Sequence, residues 1–348
     1  MRLRNLFLLC IACAAYLSEA QDIHWSQPSA ILIYQNPAFT GIGSKYSMGL
    51  NFRDQWNPVN KSYKTFAASG DYRFGEETNK ASVGAGAVLY RDISADGSYI
   101  VNSIGLTLSG LVNINERSKI GGGIGYNFIQ NSMNKTQYTW GNQFNGQSFD
   151  AGRSTGEEQS SINRKFSDLS AGVSYAFHEK NGTVGDNSPD FLIIGYSINH
   201  INRPEMGISG STDKLAMKHT VMITGVGSLD NSFALKPTLL IYTQGKMLEI
   251  IAGTLIRTSI GQVSRYTGIK KGSSFSAGLL YRFKDALIPT MEFEKSNFAI
   301  GLSYDVTLSK LSKTSKYQGG LEIHLRLKAP DSPSQQNKKT PEDTRPMY

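Results

Sequence analysis

Five histidines, His24, His178, His200, His219 and His324, are the natural zinc ligands of this chain, but no two have the short spacing that such a site needs. There is no Gly-x-Ser-x-Gly elbow and no His-Glu-x-x-His motif, and no Ser/His/Asp cluster can be placed, so a hydrolase reading has nothing to stand on. Gly121-Gly122-Gly123-Ile124-Gly125 resembles a phosphate loop only in glycine content, and it lies in a strand pattern where small residues allow close packing. Asp92, Ser94, Asp96 and Gly97 imitate the start of a calcium loop, but Ser103 stands where the bidentate Glu belongs, so a hairpin turn is expected instead. The expectation is a protein that is not an enzyme and holds no metal or cofactor.

What remains is ionic chemistry. Arg53, Asp71, Arg73, Asp168, Lys236, Arg282, Glu292, Asp305, Glu322 and Arg326 fall on the polar side of alternating segments, with both signs mixed. Two readings are open: a salt-bridge network satisfying a water-accessible interior, or a surface complementary to an inserted peptide or plug. Asn36-Pro37-Ala38-Phe39-Thr40-Gly41 precedes the first alternating segment. It reads as a rigid turn or a short plug, or else as a binding surface formed with Trp25, Arg53, Gln55 and Trp56. Trp25 and Trp56 also suit an interfacial aromatic girdle.

The elements that must carry these side chains are strands. Tyr46, Met48, Leu50 and Phe52 alternate with Ser47, Gly49, Asn51, Arg53 and Gln55; Phe298, Ile300, Leu302, Tyr304, Val306 and Leu308 are set against Asn297, Gly301, Ser303, Asp305 and Thr307. Such runs recur at 45–56, 62–74, 81–91, 99–112, 118–130, 166–178, 190–199, 216–228, 232–243, 247–257, 273–283, 286–294, 297–308 and 317–328. The strand count is softest at 190–228 and 257–294, where it can shift by two. Many of these runs exceed the five or six residues usual in soluble sheets and match the nine to eleven of a tilted transmembrane strand. The fold class is therefore all-β, a transmembrane outer-membrane barrel of about 14 antiparallel strands spanning 45–328. If the first strand starts in the periplasm, the long loop 131–165 lies outside and the turns at Asp230-Asn231 and Lys295-Ser296 inside; a long connection at 258–272 fits that orientation poorly.

The ends differ from this middle. Residues 1–20 read as a secretory signal, with Arg2 and Arg4, an apolar stretch from Leu6 to Leu17 and a small-residue cleavage pattern at Ser18-Glu19-Ala20. Both cysteines, Cys10 and Cys13, lie in it, so the mature chain has no thiol or disulfide chemistry. Its removal lowers the net charge from +8 to +7, scattered rather than striped, which argues against nucleic-acid binding. Residues 21–44 read as a periplasmic plug-like segment, and 329–348 as a disordered Pro-rich tail. The mean hydropathy of −0.29 looks soluble only because a barrel places apolar residues at every second position.

Gln21-Asp22-Ile23-His24-Trp25-Ser26-Gln27, the Asn36–Gly41 block, Arg53-Asp54-Gln55-Trp56, Tyr281-Arg282-Phe283, Asp285-Ala286-Leu287-Ile288-Pro289, Gly301-Leu302-Ser303-Tyr304-Asp305 and Gly319-Gly320-Leu321-Glu322-Ile323 occur in this order. Together they resemble the PorP/SprF family of outer-membrane proteins of the type IX secretion and gliding machinery. No single block is diagnostic; the ordered set, in a chain of this size that opens with a signal sequence, is the specific feature. The resemblance implies a non-enzymatic barrel in the outer membrane of a Gram-negative, Bacteroidetes-type cell. Its implied partners are a secreted adhesin or the adhesin's C-terminal sorting domain, periplasmic ring components of the secretion system, and outer-membrane lipids. The implied role is secretion or surface anchoring of the adhesin. A passive channel is the competing reading, since a barrel of this size has room for one.

Overall fold

The computed structural model describes residues 22–55, 62–75, 80–94, 97–134, 138–156, 162–178, 190–206, 213–230, 232–260, 273–313 and 315–328. The signal expected at 1–20, the tail expected at 329–348 and Trp56 lie outside them. Fourteen strands form a closed antiparallel barrel in which each pairs with its sequence neighbours and β1 (Tyr46–Gln55) pairs with β14 (Gln318–Lys328). Between them run β2 (Tyr63–Phe74), β3 (Ala81–Ile93), β4 (Tyr99–Asn113), β5 (Ser118–Met133), β6 (Ile162–His178), β7 (Phe191–Asn199) and β8 (Lys218–Ser228). The circuit is completed by β9 (Phe233–Gln244), β10 (Met247–Ile260), β11 (Ser273–Arg282), β12 (Ala286–Lys295) and β13 (Phe298–Thr307). Closure leaves no unpaired edge, which a sheet in hydrocarbon cannot tolerate.

Alternation sets the two faces. Met48, Leu50, Phe66, Leu106, Leu108, Ile124, Val173, Phe298 and Ile300 are exposed on the outside, while Asn51, Arg53, Ser103, Thr107, Ser174, Ser303, Asp305 and Glu322 are buried inside. No helix among the described residues is long and apolar enough to cross a membrane; the strands do the crossing. On β5 the outward apolar positions run from Ile120 to Phe128, eight steps at about 3.4 Å each, which on a tilted strand matches an apolar band of about 25 Å.

Two local expectations change. The strands β5 and β6 continue to Met133 and back from Ile162, so the connection between them is shorter than 131–165. Nor is the interior wholly polar. Ile193, Met222, Leu240, Ile251, Leu280 and Ile288 point inward on β7 to β12 and form one buried cluster with Phe39 and Ile42. These strands are apolar on both faces, which is why alternation blurs there in the sequence.

Residues 22–44 lie in the lumen, most of them buried. The near end of the barrel is the one where β1 starts and β14 finishes; the far end is opposite.

Candidate functional site

The lumenal segment is irregular, with short helical turns at Pro28–Ala30, Leu32–Gln35 and Pro37–Phe39. An isolated stretch of this kind has no stability of its own, so the barrel wall must hold it. Three sets of contacts do so.

The first set grips Ser26 and Gln27 near the far end. Glu322 on β14 accepts the Ser26 amide at 2.6 Å and the Gln27 amide at 3.0 Å. The Ser26 hydroxyl donates to Asp305 Oδ1 (2.5 Å) and accepts from Arg282 Nη2 (3.0 Å) and from Arg53 Nη1. Arg53 also pairs with Asp305 (2.8 Å) and Glu322 (3.2 Å), Arg282 pairs with Asp305 (2.9 Å), and Gln27 Nε2 donates to Ser303 Oγ (3.0 Å). All four ionic side chains are at most 4% exposed. A charge buried this deeply is tolerated only when paired and hydrogen-bonded, and here the lumenal backbone supplies part of the pairing. His24 stands 3.4 Å from Arg53 Nη2. Burial, and then the nearby Arg282 and Arg53, hold its pKa well below the usual histidine value, so the ring is neutral.

The second set fixes Asn36–Gly41 against β2 to β7. Asn36 Oδ1 accepts the Ala38 amide (2.8 Å), and its Nδ2 donates to the wall carbonyls of Val173 (3.0 Å) and Tyr196 (3.2 Å). Thr40 donates to its own Pro37 carbonyl, and Gly41 is bracketed by Asp71, which accepts its N–H at 2.8 Å, and Arg73, which donates to its carbonyl at 3.1 Å. The approach is close at several wall glycines, among them Gly84, Gly123, Gly172 and Gly195. A Cβ on Gly123 would lie 2.5 Å from Ala38 N, and one on Gly195 would lie 2.5 Å from the Phe39 ring. Gly123 belongs to the glycine run that imitates a phosphate loop in the sequence. What it admits is the protein's own chain.

The third set anchors Asp22 at the far end. His200 stands between two carboxylates, with Nε2 2.9 Å from Asp22 and Nδ1 3.0 Å from Asp168, and Lys218 Nζ is 3.3 Å from Asp22. Lys218 also lies over the Tyr242 ring at 4.5 Å. Burial opposes charge on His200, but Asp22 and Asp168 outweigh it and raise its pKa to about 9. Burial likewise opposes ionised Asp22, and His200 and Lys218 reverse this to hold it below the ordinary carboxylate range. A cavity of about 50 Å³ remains between the segment and β3 to β8, lined in part by Tyr34, Tyr90, Asn127 and Asp168.

Toward the near end Lys236, Arg257 and Arg326 interlock with Glu292 and Glu294.

Several expected site residues thus gather, but in separate places. Arg53, Arg282, Asp305 and Glu322 form one clamp, Asp71 and Arg73 a second contact, Asp168 a third, and Arg326 joins the near-end network. Trp25 is 2% exposed and packs inside with Ile31, Ile33, Ala67 and Val88, so it is no interfacial anchor. Asn36, Pro37 and Phe39 are buried against β5 to β7 rather than sharing a surface with Trp25 and Arg53. Gln55 is half-buried at the end of β1, opposite Tyr63 and Gly320. Ser26, Gln27, His200, Lys218 and Glu294 take part in these contacts without having been candidate site residues in the sequence, where His200 figured only among the histidines lacking zinc-ligand spacing. Lys218 and Glu294 carried the signal of a charge at an inward-facing strand position.

An apolar-coated, edge-free barrel with a polar interior occupied by its own chain is an integral membrane β-barrel of the outer-membrane type. The family model of the type IX secretion system membrane protein PorP/SprF matches residues 17–326, and the chain belongs to that family. No curated protein matches it. Among solved structures it is similar to the toluene transporter TbuX of Ralstonia pickettii, at 13% identity and TM-score 0.43, over 89% of this chain and 95% of that one. A Pseudomonas aeruginosa FadL homologue is similar at 10% identity and TM-score 0.45, over 86% and 94%. The translocator domain of the autotransporter NalP from Neisseria meningitidis follows at 11% identity and TM-score 0.39, over 82% and 88%.

Proposed function

We propose that this barrel is a non-enzymatic component of the type IX secretion and gliding system that supports secretion or surface anchoring of a large adhesin, engaging the adhesin's C-terminal sorting domain. Family membership supports the system. The observation that favours an anchor over a passive channel is the Ser26 clamp, which ties the lumenal segment 22–44 to four strands and so supports a plugged rather than an open lumen. Orientation follows from the connections. The far end carries 134–161 and 200–217, while most near-end turns, such as 114–117 and 229–232, are short, the asymmetry expected when the near end faces the periplasm. The partner then docks on the far-end loops, and periplasmic ring components meet the near end.

The test is pull-down of tagged protein from detergent-solubilised outer membranes together with deletion. Recovery of one large surface protein, and its loss from the surface on deletion, is the expected result. Export and attachment of every adhesin in the deletion strain would overturn the anchoring role. In planar bilayers the purified barrel is expected to be silent, whereas a steady open conductance would favour the channel.

A further inference from the structure

The outer face of the barrel is not uniform around its circumference. Above the apolar band, one row of paired positions crosses β3 to β6 in register: Arg91 opposite Asn102, Asn102 opposite Gln130, and Gln130 opposite Lys165. All four lie on the membrane-facing parity, the same as Leu89, Ile104, Phe128 and Leu169. Arg91 and Lys165 are exposed. Among the described residues neither has an acidic partner within ion-pair distance. Gln130 uses one amide hydrogen on Asn163 (3.0 Å). In the facing sector, β10, β11 and β13, the outward positions nearest the same end within the strands are Leu248, Tyr281 and Val306. Arg91 and Lys165 thus bracket one sector above an outer face that carries Leu106, Leu108, Ile124 and Val173; at the same end Lys64 on β2 and Lys284 beyond β11 stand elsewhere on the circumference.

Three strand spacings of about 4.8 Å put the Arg91 and Lys165 stems about 14 Å apart, with two amide side chains between. An unpaired cation at each end, neutral donors between them and hydrocarbon below is complementary to an amphiphile with two separated anionic groups on a hydroxyl-rich head. Arginine and lysine both bind phosphate oxygens through charge-assisted hydrogen bonds. We propose that this β3–β6 sector binds a doubly phosphorylated glycolipid of the outer leaflet, with one phosphate on Arg91, the other on Lys165, and the sugar hydroxyls on Asn102 and Gln130. The acyl chains lie along Leu106 and Ile124. This rests on the orientation in which the far end faces outward; protease cleavage of the 134–161 connection in intact cells reads that orientation separately.

The experiment reconstitutes the full barrel with diphosphorylated lipid A, monophosphorylated lipid A or phosphatidylglycerol, and counts retained lipid by native mass spectrometry. The expected result is retention of the diphosphorylated form. R91Q/K165Q should reduce it about tenfold, the loss of two exposed charge-assisted contacts, while K284Q in the opposite sector should leave it unchanged. Heat-modifiable gel migration shows that each variant is folded; if R91Q/K165Q does not fold, the single variants are compared instead. Equal retention of phosphatidylglycerol, or unchanged lipid A on the double variant, overturns the proposal.

Discussion

Glu322 and Ser26, 296 residues apart in sequence, are joined by a 2.6 Å hydrogen bond from the Ser26 amide to the Glu322 carboxylate. The wall thereby completes the hydrogen bonding of an irregular backbone, and the backbone in turn helps satisfy a fully buried carboxylate. Glu322→Ala removes the acceptor of two amides and leaves Arg53 short of one anion. It should cost about 3–5 kcal/mol, the usual penalty for breaking a buried ionic contact. Glu322→Gln, which keeps an acceptor oxygen, should cost less. Urea unfolding in detergent micelles compares the two; equal stability of wild type and Glu322→Ala would show that the clamp bears no stabilising role.

The wall glycines give a test of the lumenal segment that leaves charge untouched. Gly123 faces Ala38 and has no room for a Cβ, whereas the neighbouring Gly122 has nothing within 4 Å of that position. Because Gly123 opposes backbone atoms rather than a flexible side chain, Gly123→Val should push 36–41 off the wall. Gly122→Val, on the lipid side, should be silent. New protease cleavage within 22–44 and the appearance of single-channel conductance are the readouts. A silent Gly123→Val with an unaltered digest would mean that the segment is not what closes this half of the lumen.

The contact between His200 and its two carboxylates makes stability depend on pH. The folded pKa, about 9, lies above the unfolded value near 6.5. The contribution is therefore complete below about pH 6.5 and is lost as pH rises through 9, on the order of 3 kcal/mol at full size. Asp22 has the opposite sign: its depressed pKa gives a contribution present above about pH 4 and lost in stronger acid. The unfolding midpoint should fall between pH 7 and 10 in wild type and fall less in His200→Gln. Parallel profiles for the two proteins would exclude His200 as the titrating group.

The barrel was legible because alternation persists wherever one face meets lipid and the other meets polar side chains, as along β1, β4 and β13. It faded where Leu239-Leu240-Ile241 and Leu279-Leu280 place apolar residues on both faces. Nothing local marks Leu240 or Leu280 as inward, since their burial depends on the apolar cluster gathered around Phe39 and Ile42. The charges of the clamp were visible as inward positions, yet their convergence on Ser26 was not. That convergence depends on strand register across β11, β13, β14 and β1, and on a segment with no periodicity of its own. His200, in a turn with a positive φ of 59°, carried no pattern at all.

Glu294 stands 3.2 Å from Lys236, 2.8 Å from Arg257 and 3.2 Å from Arg326, and Glu292 contacts Lys236 and lies 3.3 Å from Arg326. Three cations thus share two carboxylates, so removing one anion leaves net positive repulsion as well as a missing contact. Glu292→Gln should destabilise more than Lys236→Met, because the latter removes one of the surplus cations. The double variant Lys236→Met/Glu292→Gln should recover part of the loss, with a coupling of about 1–3 kcal/mol. Arg257, Arg326 and Lys236 keep 12–16% of their side-chain surface accessible, so added salt should screen the repulsion in Glu292→Gln and raise its unfolding midpoint more than that of wild type. Additive single-variant losses with no salt effect would mean that these side chains are held independently rather than as one network.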